Sequence, residues 1–240
     1  MRNFKWRKWI FICILFGLMV ACMPQFFHRN SGQSRSHGSP GNGRLENGYL
    51  IDYSLANAKY FSFSSYYLLG NGYINSRLYH TLVEAYKSCE ESCPNIKFKY
   101  MECSSHKGGK QLIHRTHRNG LSVDFMVPKK KANQQSTFYD HLGIWHYFLE
   151  FDSNGKLSLN KEVEIDFETM GRHILALDDA ARNHGLKIKK VLLQIDLKDN
   201  FYRSKSGQEV KKRGIYFAQY LSPQVDKFHD DHYHIDFSLR

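Results

Sequence analysis

Two short stretches that alternate in polarity, far apart in the chain and each rich in histidine, constrain this sequence more than any other feature. The first runs from Ile113 to Pro128 as I-H-R-T-H-R-N-G-L-S-V-D-F-M-V-P. An Asn119-Gly120 turn leads into a run where Leu121, Val123, Phe125 and Val127 share one parity and Ser122, Asp124 and Met126 the other. Alternate side chains of a strand point to opposite faces. The apolar parity can therefore enter a core while Asp124 looks into a cleft, with His117 across the turn. The second stretch is F-H-D-D-H-Y-H-I-D-F, where His232, His234 and Asp236 fall on one face and Tyr233, Ile235 and Phe237 on the other. If the two strands are neighbours, His117, Asp124 and His234 converge on one point. Two imidazoles and one carboxylate are the donor set of a catalytic zinc with its fourth position open.

A His with an Asp seven places on is expected ~0.7 times by chance at this composition, so the first half is weak alone. The H-x-x-H-x-H of His229, His232 and His234 is expected only about 0.04 times. The informative signal is the two together. The competing reading is a His-rich polar surface plus an ordinary buried Asp.

H-R-T-H-R-N-G-L-S-V-D followed by H-D-D-H-Y-H-I-D resembles the paired signature of the penicillin-insensitive murein endopeptidases. These are zinc peptidases of the lysostaphin and D-Ala-D-Ala carboxypeptidase group. The resemblance runs from about Tyr66 to the last residue, with its specificity in the two histidine motifs. It implies that His117, Asp124 and His234 bind zinc and that His229, His232 and His114 line the site as base, proton donor or anion stabiliser. It also implies an α+β fold whose small antiparallel sheet carries the zinc, flanked by helices, as in the amino-terminal domain of hedgehog proteins. Thr116 and Ser122 depart from the pattern, and Ser122 leaves open what supports the ligands from behind.

No Glu adjoins either motif, unlike the H-E-x-x-H design, so the base should be a histidine. His229 is the preferred base and His232 the oxyanion stabiliser, with the exchanged assignment also open. His114 is either a pocket residue or a surface histidine on the turn. One zinc per chain would polarise a scissile carbonyl and lower the pKa of water from 15.7 toward about 7.

Arg2, Lys5, Arg7 and Lys8 precede an unbroken apolar run from Ile10 to Val20, too short for a hydrocarbon core that needs roughly 17–25 residues. Residues 1–22 therefore read as a secretory signal. Met19-Val20-Ala21-Cys22 resembles a bacterial lipobox, implying lipidation at Cys22 and an exported protein of the periplasm or cell envelope. Residues 23–48 are expected to be a flexible linker, being rich in Ser, Gly, Asn and Arg over His28–Gly48. The domain then covers residues 49–240. Loss of residues 1–21 removes four positive side chains and no acid, taking the formal charge from +11 to +7. Such a surface suits an anionic wall polymer. Nucleic acid is not expected as a partner, since no motif for it is present.

Within the domain, Ser76 is expected to cap a helix ending before Pro94, and Ile96–Cys103 to form a strand. Lys129, Lys130 and Lys131 read as a solvated loop, and Phe138–Phe151 as a strand with nearby loop. Asp166 should cap a helix ended by Gly185, with a strand over Lys189–Leu197 and a surface loop over Asn200–Lys212. An oxidising compartment makes one disulfide plausible among Cys89, Cys93 and Cys103, with Cys103 bonded to one of the others.

Read together, these features predict a zinc-dependent, exported peptidase acting on peptidoglycan peptide stems. Carboxypeptidase action on a terminal D-alanine is an alternative, as is a zinc-containing binding module without catalysis. A metal-free envelope adhesion protein is the third.

Overall fold

The computed structural model describes residues 3–111 and 116–240. His114 lies outside the described residues. After helix α1 (Asn3–Phe27) come strands β1 (Arg35–Ser39), β2 (Asn42–Glu46), β3 (Tyr49–Leu50), β4 (Ser54–Leu55), β5 (Ala58–Tyr60) and β6 (Tyr73–Ile74). Helix α2 (Ser76–Ser92), β7 (Phe98–Tyr100), β8 (Ser122–Met126), β9 (Lys129–Lys131), β10 (Gln134–Gln135), β11 (Lys156–Leu157) and β12 (Asn160–Ile165) follow. The chain then forms α3 (Phe167–Asn183), β13 (Leu186–Leu192), α4 (Lys198–Arg203), α5 (Lys205–Lys212), α6 (Pro223–Lys227) and β14 (His232–Leu239).

The fold is α+β. Its main sheet has the order β13-β14-β8-β7-β5-β4, antiparallel except for the β5–β7 pair. A smaller sheet, β10-β9-β12-β11, lies beside it in sequence. The two histidine-bearing stretches are neighbours. β14 pairs with β8 so that Tyr233 faces Phe125, His234 faces Asp124 and Asp236 faces Ser122.

Alternation along these strands separates core from site. Phe125 and Tyr233 stack at 5.5 Å between ring centroids, and both pack against His173 of α3. His173 is buried and its Nδ1 lies 2.6 Å from the Tyr233 hydroxyl, so those two polar atoms satisfy each other. Helix α3 is amphipathic and packs on α2. Asp166 accepts from the Thr169 N–H at its start, and Gly185 follows its end at φ +69°, as the sequence predicts. For α2 the cap is Asn75, one residue before the expected Ser76.

Residues 30–48 are not the expected tether. β1 and β2 form a hairpin whose Leu45 is 1% exposed. The Leu45 N–H donates to the Lys107 carbonyl, and the Arg118 N–H donates to that of Pro40. Composition missed this because one apolar side chain suffices when backbone groups find partners on the domain. Gly120 shows how close the approach is: at φ +72°, a Cβ there would lie 2.7 Å from a Leu45 methyl. Leu45→Ala is expected to cost about 2–5 kcal/mol, read as a shift in the denaturant midpoint. A change within about 0.5 kcal/mol, as surface positions give, would restore the tether.

Helix α1 continues through Cys22 and Pro24, and Trp6–Phe27 is long and apolar enough to cross a membrane. Its 22 residues span about 33 Å at ~1.5 Å per residue, because Trp6, Trp9, Met23, Phe26 and Phe27 extend the apolar run at both ends. Its length suits a signal sequence or an anchor.

Other expectations change. Phe138–His141 and Gly143–Phe148 are 3₁₀ turns rather than a strand. Asp140, His146 and Leu149 are buried at multiples of three, the period of that helix. Lys129 is buried and its Nζ lies 2.6 Å from an Asp140 oxygen, so it is no solvated loop residue. Residues 200–212 hold parts of α4 and α5, since Phe201 and Val210 enter the core and Ser204 caps α5. The expected strands are shorter or shifted, to Phe98–Tyr100 and Leu186–Leu192. Cys89, Cys93 and Cys103 are buried free thiols. Cys89 and Cys93 share the last turn of α2, while the Cys103 Sγ lies 3.6 Å from the Met101 carbonyl oxygen.

Candidate metal centre

The register of β8 and β14 places Asp124 between two imidazoles. One Asp124 oxygen lies 2.7 Å from His234 Nδ1, the other 3.1 Å from His117 Nε2. The two rings meet edge to face at 4.7 Å between centroids. All three residues are buried, and one ligand atom from each lies within 4.8 Å of the others. Asp124 itself is fixed at the backbone, where its N–H donates to the Glu102 carbonyl and its carbonyl accepts from the Met101 N–H.

His117 reaches this point from the turn. Its backbone is left-handed at φ +67°, a conformation uncommon for a residue with a side chain. Its Nδ1 lies 3.2 Å from the Ser122 carbonyl oxygen, which can only accept, so Nδ1 carries a hydrogen and Nε2, which faces Asp124, is the nitrogen that would turn to a cation. On the other side, His234 Nε2 lies 2.7 Å from an Asp236 oxygen, and that oxygen also accepts from the Ser122 hydroxyl at 2.6 Å. Lys190 Nζ is 3.2 Å from the second Asp236 oxygen. Ser122, open in the sequence reading, thus supports the carboxylate that orients His234.

These contacts set the charges. Burial alone would raise the Asp124 carboxyl, but His117 and His234 outweigh it and hold it well below the usual carboxylate range. Burial opposes charge on His234, yet Asp236 and Asp124 lift its pKa to about 10. Before a cation binds, His234 is therefore protonated at pH 7. This adds stability that is full below pH 6.5 and is lost as the pH rises toward about 10. A bound cation must displace that proton. Metal binding is expected to release about one proton and to tighten ~tenfold per pH unit between pH 6 and 9. Calorimetry in buffers of different ionisation enthalpy reads the release; affinity independent of pH would contradict this ligand set.

The trio opens on a cavity of about 320 Å³ that Thr116, Tyr147, Leu192, Phe228, His229 and His232 also line. The His229 and His232 rings are 4.8 Å apart. His229 Nδ1 donates to the Val225 carbonyl at 2.6 Å. Burial, then the neighbouring His232, lowers its pKa to about 3, so the ring is neutral. Burial also opposes charge on His232, but the Asp231 carboxylate, 2.7 Å from its Nδ1, lifts it to about 9.

Sequence spacing missed Glu102, whose carboxyl is fully buried near this group and is raised to about 8 by burial, then by Asp124. Nor does spacing tie His146 to the C-terminal motif, yet its Nδ1 is 2.5 Å from the second Asp231 oxygen. His146, Asp231 and His232 form a second buried group able to hold a metal ion. Both residues arrive from segments with no motif. Comparison with protein-family models, and with curated proteins, gave no match.

Proposed function

We propose that the chain is a zinc-dependent peptidase of the cell envelope that hydrolyses peptide cross-links of peptidoglycan. The observation that carries this reading is the trio of His117, Asp124 and His234, buried and convergent, in the lining of a cavity bearing two more imidazoles. Two nitrogens and one oxygen suit zinc, and three protein ligands, the number found among the described residues, are what a catalytic site uses. The bound ion would supply a Lewis acid for the scissile carbonyl and for an attacking water.

The protein's own groups do the rest. His232 is the base: the Asp231 carboxylate behind it stabilises the imidazolium formed when Nε2 takes a proton. A nearby dication would draw its value of about 9 down toward the working range. His229, at about 3, holds a proton poorly, which reverses the preference drawn from sequence. Its Nε2 is left to accept a hydrogen bond from a substrate N–H. Leu192, Phe228 and Tyr147 give the cavity apolar walls that exclude water from the reacting bond.

The peptidoglycan address rests on the motif resemblance and on α1. Export through a signal sequence, with lipidation at Cys22, would place the basic domain beside an anionic wall polymer. Muropeptide mass spectrometry tests the reading. Zinc-loaded protein is expected to release a new amine from cross-linked muropeptides, and a chelator to stop it. A protein that holds zinc and leaves every muropeptide intact would instead be a binding module.

A further inference from the structure

The group behind His232 has a geometry of its own. Asp231 bridges two rings, with one oxygen 2.7 Å from His232 Nδ1 and the other 2.5 Å from His146 Nδ1. All three side chains are buried. A carboxylate only accepts, so each ring must present its hydrogen from Nδ1. On His232 that commits Nδ1 and leaves Nε2 as the lone pair on a ring lining the cavity.

Among the described residues His146 makes no other polar contact. Its Nε2 is buried with no hydrogen-bond partner among the described residues, and the ring stands edge-on to Phe61 at 5.3 Å. A buried imidazole with one unsatisfied nitrogen is costly. What it gains is the second oxygen of Asp231. It sits in the Gly143–Phe148 turn, 85 residues from Asp231, and its neighbour Tyr147 forms part of the cavity wall.

We infer that Asp231 and His146 are a positioning pair for His232. Asp231 fixes which nitrogen carries the hydrogen and the plane of the ring, while His146 holds the other oxygen so that the carboxylate cannot rotate away. The pair also ties the base to the wall that Tyr147 shapes. The use of this pair rests on the peptidase reading; its geometry does not.

A cation in the same place is the competing assignment, since the three ligand atoms lie close enough. It would need both Nδ1 atoms as lone pairs. The hydrogen of His146 would then sit on Nε2, where no described residue accepts it.

Nitrogen-15 NMR of the full chain in detergent micelles, loaded with zinc, separates these. The two-bond correlations of His232, assigned by their loss in His232→Asn, are read at a pH where the ring is neutral. They are expected to show the hydrogen on Nδ1, with zinc at about one per chain. Asp231→Ala is expected to move the hydrogen to Nε2 or mix the forms, keep the zinc, and lower kcat ~10²–10⁴-fold with KM little changed. His146→Phe should lower kcat ~10-fold or more, and His146→Gln, which can still donate to Asp231, should recover most of it. Hydrogen on Nε2 in the wild type, an unchanged tautomer in Asp231→Ala, or two zinc ions per chain would overturn the proposal. Nδ1–H in a zinc-loaded wild type that cleaves nothing would leave the pair standing and remove the peptidase.

Discussion

His234→Ala is expected to lose bound metal and peptidase activity together. The substitution removes the only ligand that the C-terminal strand gives to the trio, leaving two donors where a catalytic zinc takes three from the protein. It also strands charge. Asp124 loses the imidazole of His234 and keeps that of His117, whereas Asp236 keeps Ser122 and Lys190. Breaking a buried pair in this way costs about 3–5 kcal/mol, so the variant should also melt earlier. Metal analysis after dialysis is the readout, with zinc falling from about one per chain to background. A variant that keeps its zinc would place the metal elsewhere.

The second large effect is on turnover alone. His232→Ala is expected to retain zinc and lose ~10²–10⁴-fold in kcat, the usual contribution of a positioned proton acceptor. His229→Ala should lose about tenfold, mostly in KM, since a ring that accepts one hydrogen bond from substrate contributes to binding. Kinetics on a cross-linked muropeptide separate the two. If His229→Ala loses turnover and His232→Ala does not, the base has been assigned to the wrong ring.

Legibility followed periodicity. The alternation of residues 121–127 and 232–237 was enough to place Asp124 and His234 on cleft-facing positions, and the register pairs them directly. Helix α3 was equally readable, because its cap, its apolar face and its terminal glycine agree. Asp231 and His146 were not. They meet across 85 residues and come from a strand margin and a 3₁₀ turn, where spacing carries no signal. Asp231 stood in the motif all along, but only the fold shows that its side chain turns back toward His146. The hairpin escaped for a related reason: Leu45 is one apolar residue in a polar stretch, and its burial depends on Gly120 and on backbone acceptors far away in sequence. Lys129 read as solvated until Asp140 supplied a buried partner from the next turn.

The central claim is that the two ends of the domain meet to hold one cation. X-ray absorption of the zinc-loaded chain, compared with His234→Ala, tests it most directly. One zinc is expected, with only nitrogen and oxygen neighbours at roughly 2.0–2.2 Å, two of them imidazole, and no such spectrum from the variant. Sulfur neighbours at about 2.3 Å, which would point to Cys89 and Cys93, or a spectrum unchanged in His234→Ala, would contradict it.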